Sequence, residues 1–293
     1  MKRQLKEKII KIILALCALF TILTTAGILY VLISEAFLFF SEVSIIDFFT
    51  DTQWTPLFAE KHFGILPLLS GTLLTSFIAI LVALPVGLTI SIYLNEYANK
   101  NFKHVVKPII EVLASVPTVV YGFFALTVVT PFFQQFYPSM SGFNSLSAGF
   151  VMGIMIIPYI SSLSDDAISA VPGYIREGSL ALGASRFQTS FKVIIPSAAS
   201  GIIVSIMLAI SRAIGETMIV AVAAGQQPRL TANPFVPVET ITTYIVQVSL
   251  GDVAHNSIEY RTIFAAGITL FAFTFLLNNI SYWMNKKFHR KYV

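Results

Sequence analysis

Residues 112–164 run for 53 residues without a single Asp, Glu, Lys, Arg or His. A stretch of that length with no charge cannot wrap itself in a water-facing surface. About 20 helical residues cross a ~30 Å hydrocarbon core, so this stretch suffices for two crossings. The polar cluster QQFYPSMSGFNS inside it supplies the turn between them. The rest of the chain follows the same rule. Charged residues make up 12% of the sequence, against about 25% in an ordinary soluble domain.

Six apolar segments emerge, at 9–40, 66–94, 109–136, 146–164, 201–225 and 262–285. None alternates polar and apolar residues as a barrel strand does, and an open backbone is not tolerated in lipid. The expected fold class is therefore an all-α membrane protein of six transmembrane helices, forming a single transmembrane domain over residues 1–293. The N-terminus has a basic start and an apolar run, like a secretion signal. Its uncharged stretch from Ile12 to Ser34 is 23 residues long, whereas a signal core is roughly 7–15, so it reads as a retained first span. Cys17, the single cysteine, offers neither a disulfide nor a metal site by itself.

Orientation follows from lysine and arginine. Fifteen of the 19 basic residues fall in the N-terminal tail, the 95–108 connection, the 165–200 connection and the C-terminal tail. The opposite side holds only Lys61, Arg229 and Arg261. Both termini are expected in the cytoplasm. The basic residues are scattered at span ends without interleaved aromatics, which gives no reason to expect nucleic acid as a partner.

Several chemistries lack their residues. There is no G-x-x-x-x-G-K-[ST] phosphate loop, no H-E-x-x-H and no G-x-S-x-G. The histidines, His62, His104, His255 and His289, lie outside the spans. Asp165 and Asp166 stand at a span end, where acids more often begin a helix than hold a metal. No metal site and no catalytic residue is expected. The charges left at membrane depth are Arg212 and Glu216, in SRAIGETM.

The 165–200 connection has its own pattern. After Pro172, YIREGSLAL suits a short helix that Gly183 would cap. SRFQTSFKVII then places Phe187, Phe191 and Ile194 at i, i+4 and i+7, one apolar stripe on a second short helix, which Pro196 is expected to end. Such an element serves either as a docking piece for a partner groove or as a helix lying on the lipid surface.

The spacing here resembles the E-A-A-x3-G-x9-I-x-L-P pattern of ABC importer permeases. Glu177, Gly183, Val193, Ile195 and Pro196 occupy its positions, and Gly178 and Ser179 replace the two alanines with small residues. The segments EVLASVPTVVYGFFALTVVTP, SRAIGETMIVAVAAGQ and NPFVPVETITTYIVQVSLGD are similar to the phosphate-specific branch, more to its PstC-type than to its PstA-type permeases. The similarity covers most of residues 9–285. It implies the type I importer permease fold, with 165–200 as a coupling loop that seats in an ATPase subunit. It also implies phosphate as substrate, a PstA-like permease partner, a PstB-like ATPase dimer carrying ATP and magnesium, an extracytoplasmic PstS-like phosphate-binding protein, and a prokaryotic cytoplasmic membrane. This chain would bind no cofactor of its own. The external loop with Glu239, Asp252 and Glu259 would meet the binding protein, and VETITTYIVQVS suits a short surface helix.

Counting from Gly201, Arg212 lies about 16 Å into the fifth span at 1.5 Å per residue, near the midplane. Glu216, four residues on, would share its helix face and pair with it. A guanidinium offers two parallel donors to phosphate oxygens, and a carboxylate can accept from a P–OH. The competing role is a structural ion pair between helices. Pro117 breaks the third span, with Ser115 as a possible cap and Thr118 opening a helix toward the path. A plain proline kink serves equally. The rival functional classes are an ion-coupled secondary anion transporter, for which no inverted repeat is seen, a permease for another oxyanion, and an intramembrane enzyme, which lacks a nucleophile and base.

Overall fold

A computed structural model describes residues 2–292, with side chains for 7–99 and 101–283. The side chains of Lys2, Arg3, Lys6, Lys100, Lys286, Lys287, His289, Arg290 and Lys291 lie outside the described residues. Six helices among the described residues are long and apolar enough to cross a membrane. In chain order, α1 is Lys2–Glu42 and the short α2 is Ile45–Thr50. Helix α3 is Leu66–Tyr97, α4 is Lys100–Ser115 and α5 is Thr118–Phe136. Helix α6 is Ser145–Ser169, α7 is Gly173–Ala181 and α8 is Arg186–Ile214. Helices α9, Met218–Ala223, α10, Ile241–Leu250, and α11, Ile258–Tyr292, complete the chain.

Helix α6 sits at the centre and packs against α3 and α8. Between apolar helices in lipid, close approach of backbones replaces the hydrophobic effect as the driving force, so small residues mark the contact. A Cβ on Gly149 would lie 2.8 Å from the Ile78 Cβ, and one on Gly153 would lie 2.8 Å from the Val82 Cβ and the Ala79 carbonyl. Gly87 of α3 meets Ile160 of α6 in the same way. A core of Ala79, Ala83, Ala148, Val151, Met152, Met155, Ile156 and Ile160 fills the seam. Helix α1 packs on α11 and leaves most of its apolar surface outward, as expected for a lipid-facing helix.

Two expected spans are redrawn. The third begins at Thr118, not at 109, because 109–115 belong to α4, an amphipathic helix capped by the Asn99 side chain. The break at Val116–Pro117 separates them. The Tyr121 hydroxyl bridges that break, donating to the Leu113 carbonyl at 2.8 Å. The fifth span begins at Arg186 rather than 201 and ends at Ile214 rather than 225. Pro196 does not end a helix. Proline cannot donate to the carbonyl four residues back and its ring crowds it, yet the helix continues, because residues Ser190–Ile194 widen into a π turn just before it. The same device, at Ala125–Val129, precedes Pro131 in α5.

Asp165 and Asp166 are likewise not helix-start acids. They lie near the C-terminal end of α6. The 165–200 connection thus shrinks to the segment from Ala170 through α7 to Ser185, its ends being absorbed by α6 and α8. The helix expected in the external loop forms as α10, but its Ile241, Thr243, Tyr244 and Val248 are buried rather than on the surface.

Gly153→Leu should force α3 and α6 apart and cost about 1–3 kcal/mol, as overpacking does, read as a lower thermal midpoint in detergent. Gly27→Ala is the control, since nothing lies within 4 Å of a Cβ there, and the midpoint should not fall.

Candidate functional site

Helix α8 ends two residues past Arg212, so this residue occupies the last turn of its helix, not the middle. The chain breaks at Gly215–Thr217 and restarts as α9. That break separates the two charges expected to pair. Glu216 is 8% exposed, and its Oε1 accepts from the backbone N–H groups of Met218 at 3.0 Å and Ile219 at 3.3 Å. It serves the first N–H groups of α9 from two residues ahead of the helix, Thr217 at the cap position making no side-chain cap bond, and so answers orphan donors that every helix start presents. No ion pair joins it to Arg212 among the described residues. Its carbonyl accepts from the Thr242 hydroxyl at 2.8 Å, which ties the break to α10.

The half-buried Arg212 turns instead to α6. Its guanidinium carbon lies 4.2 Å from the centre of the Tyr159 ring, and Nη2 is 3.6 Å from the Met155 sulfur. Cation–π contact of this kind holds a guanidinium flat without consuming its in-plane donors. Nε is buried with no hydrogen-bond partner. The result is a stacked, oriented cation with N–H groups to spare, four residues ahead of a carboxylate occupied elsewhere.

Ser115 and Thr118 fare differently. The Ser115 hydroxyl donates to the Val112 carbonyl at 2.7 Å, inside its own helix, and Pro117 occupies the cap position of α5, so Ser115 is not a cap. Thr118 opens α5 as expected. That helix lies against α9, where Gly122 meets Met218 and Val222 so closely that a Cβ would be 2.9 Å from the Val222 Cβ. The start of α5 and the break that carries Glu216 are thus brought to one region.

The second cluster lies at the end where the basic residues gather. Pro172 begins α7, and Gly183 follows it at φ +84°, a conformation that suits glycine. Ser185 and Gln188 form a reciprocal capping box at the start of α8. Phe187 and Phe191 are exposed with ring centres 4.5 Å apart, and Leu182 and Tyr174 are exposed beside them in the sequence. Ile194 leaves the expected stripe. It is buried with Ile168, Val171, Ala198 and Ile202. Glu177 and Gly178 are exposed, Pro196 is half-buried, and the Ser179 hydroxyl meets that of Thr189 at 3.0 Å, clasping α7 to α8.

A polar network not anticipated from the sequence fastens α7 to the spans. Arg176 donates from Nη2 to Glu96 at 2.6 Å and to the Asn95 side-chain oxygen at 3.2 Å. Asn95 in turn donates to Asp165 at 3.0 Å and to the Ser169 hydroxyl at 2.6 Å. Asp165, 3% exposed, is held by Lys103 at 2.7 Å and Lys107 at 3.3 Å from α4. Burial pulls the Lys107 ammonium down, but the hydrogen bond and charge of Asp165 and Asp166 outweigh it and raise its pKa. The available signal was the i, i+4 spacing of Lys103 and Lys107; nothing local linked it to residues 58 or more positions away.

Residues 87–292 match the family described as binding-protein-dependent transport system inner membrane component. The chain belongs to this family of ABC importer permeases. Relatives cover nearly its full length. It is 36% identical to the probable ABC transporter permease YqgH of Bacillus subtilis, over 94% of this chain and 89% of that one. It is 31% identical to the phosphate transport system permease PstC of Xylella fastidiosa, over 93% and 91%. It is also 31% identical to the probable PstC of Methanocaldococcus jannaschii, over 89% of each. Within the family this permease is PstC-like. Among solved structures, a permease chain of a bacterial alginate ABC transporter in complex with an alginate-bound periplasmic protein matches with TM-score 0.64 at 18% identity, over 94% of both chains. A MetNI methionine transporter chain matches with TM-score 0.56 over 77% of this chain and 94% of that one.

Gly183→Ala in this permease should cost about 1–2 kcal/mol of left-handed strain, with space no obstacle since nothing lies within 4 Å. The expected reading is faster amide hydrogen exchange across 180–185. Glu216→Ala leaves two N–H groups, that of Ile219 buried, without their acceptor and should cost about 1 kcal/mol in thermal unfolding.

Proposed function

We propose that this permease is a subunit of an ATP-driven phosphate importer, supplying half of the translocation path. The observation that carries the reading is Arg212, stacked on Tyr159 with donors left over, at the end of a helix whose other end is the coupling region. The PstC names of the relatives supply the substrate. A guanidinium keeps its charge at every working pH and matches the spacing of two phosphate oxygens. Glu216 acts on the path through α9, whose first turn it holds, and α5, which Thr118 opens, packs on α9 at Gly122.

In this reading the basic end is cytoplasmic, as the lysine and arginine bias demands, and the membrane is the prokaryotic inner membrane. The exposed surface of α7 and the start of α8, with Glu177, Leu182, Phe187 and Phe191, seats in an ATPase subunit of a PstB-like dimer, which carries ATP and magnesium. A PstA-like permease supplies the other half of the path, and a PstS-like protein delivers phosphate outside. Arg176, Asn95 and Asp165 carry movement of α7 to α3, α4 and α6.

ATP-dependent uptake of labelled phosphate into vesicles holding all partner chains tests this. Arg212→Lys keeps the charge but loses the planar fork, and uptake should fall at least tenfold (about 1.4 kcal/mol) with assembly unchanged. Undiminished uptake would remove Arg212 from the path. Arg176→Ala should leave ATP hydrolysis measurable while uptake per ATP drops; equal loss of both would show that it merely supports docking.

A further inference from the structure

The end opposite the basic one holds a cavity of about 380 Å³, within the usual size range of ligand pockets. Its walls are residues 52–58, ahead of α3, the turn Gln226–Pro228, and Glu239, Tyr244 and Gln247 at and after the start of α10. Two of its lining groups carry a buried polar atom that is unsatisfied among the described residues. Glu239 is 1% exposed and its Oε1 has no hydrogen-bond partner. Trp54 is 2% exposed, and its indole, edge-on to the Tyr244 ring at 5.0 Å, makes no regular hydrogen bond through its N–H among the described residues. A buried carboxyl and a buried donor left open each cost free energy, and neither belongs to the path at Arg212.

The carboxyl is held in place by its backbone. Val238 donates to the Ala224 carbonyl at 3.0 Å, and Ile241 donates to the Thr72 hydroxyl at 3.1 Å. The Glu239 carbonyl lies directly on Gly71, where no side chain would fit. The other polar residues lining the cavity are Gln53, Gln226, Gln227 and Gln247, Thr52 and Thr55, with the Trp54 ring and Tyr244, whose hydroxyl is engaged by Thr262 at 2.6 Å. No other acid, and no Lys, Arg or His, lines it. Charges on the adjoining segments are Arg229, bonded to the Gln227 side chain at 2.8 Å, the Asp51–His62 pair at 2.9 Å just before residue 52, and the Lys61–Glu259 pair with Asp252 across the shared wall at residues 56–58.

An anion entering here would meet a carboxyl and no cation on the wall. A guanidinium or ammonium group meets a counter-ion, amide oxygens and aromatic faces. The unsatisfied Trp54 N–H asks in addition for an acceptor, which a bare cation lacks and a basic residue in a peptide supplies through its own carbonyl. We propose that this cavity is a socket for a lysine or arginine of the external binding protein, with Glu239 as its counter-ion and the Trp54 N–H donating to that residue's backbone carbonyl. The inference rests on the reading that such a protein docks on this face.

Burial pushes the Glu239 carboxyl up to about 8, so the empty socket is mostly protonated at neutral pH. Cation entry needs the ionised form. Docking should therefore release a proton and strengthen with rising pH until about pH 8, by at most about tenfold per unit, then level off.

The test measures docking of the importer's own binding protein to the assembled transporter in nanodiscs, from pH 6 to 9 at constant ionic strength. Glu239→Gln should weaken docking about tenfold or more at pH 8 and flatten the pH slope. Methylguanidinium chloride should compete with docking to the wild type more strongly than sodium chloride at equal ionic strength, an arm that needs no variant. Docking indifferent to Glu239→Gln, or equal competition by the two salts, overturns the socket. Wild-type vesicles that take up another oxyanion but not phosphate would sink the substrate reading and leave the docking measurement standing. Phosphate uptake with docking blind to both perturbations would sink the socket alone.

Discussion

Hydrocarbon offers no hydrogen bonds, so every backbone N–H and C=O at membrane depth must be answered from within the chain. The architecture of this permease depends on that constraint, most visibly where its helices stop. At the Pro117 break the Tyr121 hydroxyl answers the Leu113 carbonyl. At the Gly215–Thr217 break the Glu216 carboxylate answers two N–H groups and Thr242 answers its carbonyl. Where proline would interrupt α5 and α8, a π turn widens the helix ahead of it and the helix runs on. The polar residues at depth are first the repair of irregular backbone, and their placement then shapes the candidate path.

That order explains why the Arg–Glu pair inferred from i, i+4 spacing does not form. The spacing is real, but it presumes a continuous helix. Once α8 ends at Ile214, Glu216 belongs geometrically to the next helix, and Arg212 is left to stack on Tyr159. A guanidinium held by a ring rather than by a carboxylate keeps its full charge available, which suits an anion site better than the ion pair would.

The basic end follows a different logic. There water is near, and charged side chains link elements rather than mend them. Asn95, Glu96, Asp165 and Arg176, with Lys103 and Lys107, join four helices through a few short contacts. The exposed aromatic pair Phe187 and Phe191 lies on the start of α8, the helix that ends with Arg212. Contacts thus run without interruption from α7 to the helices around α6, and one continuous helix joins that exposed surface to Arg212.

The six spans, the turn at Gly183 and the family were legible because each is written locally: in uncharged length, in a glycine after a short helical run, in a spaced motif. The misplaced boundaries share one cause. Apolar length alone cannot separate the amphipathic end of α4 from α5, or show that α8 continues through Pro196, because a break or a π turn depends on whether another group is near enough to satisfy the backbone. The glycines at 149 and 153 could have marked the α3–α6 seam, but their partner helix is not encoded beside them. What the sequence by itself determined is that this chain must be helical, must cross the membrane and carries the spaced motif of its family between the fourth and fifth spans. Which side chain answers which charge, Tyr159 for Arg212, the α9 backbone for Glu216 and nothing among the described residues for the buried Glu239 Oε1, only the tertiary structure decided, because those partners are set by packing between distant segments.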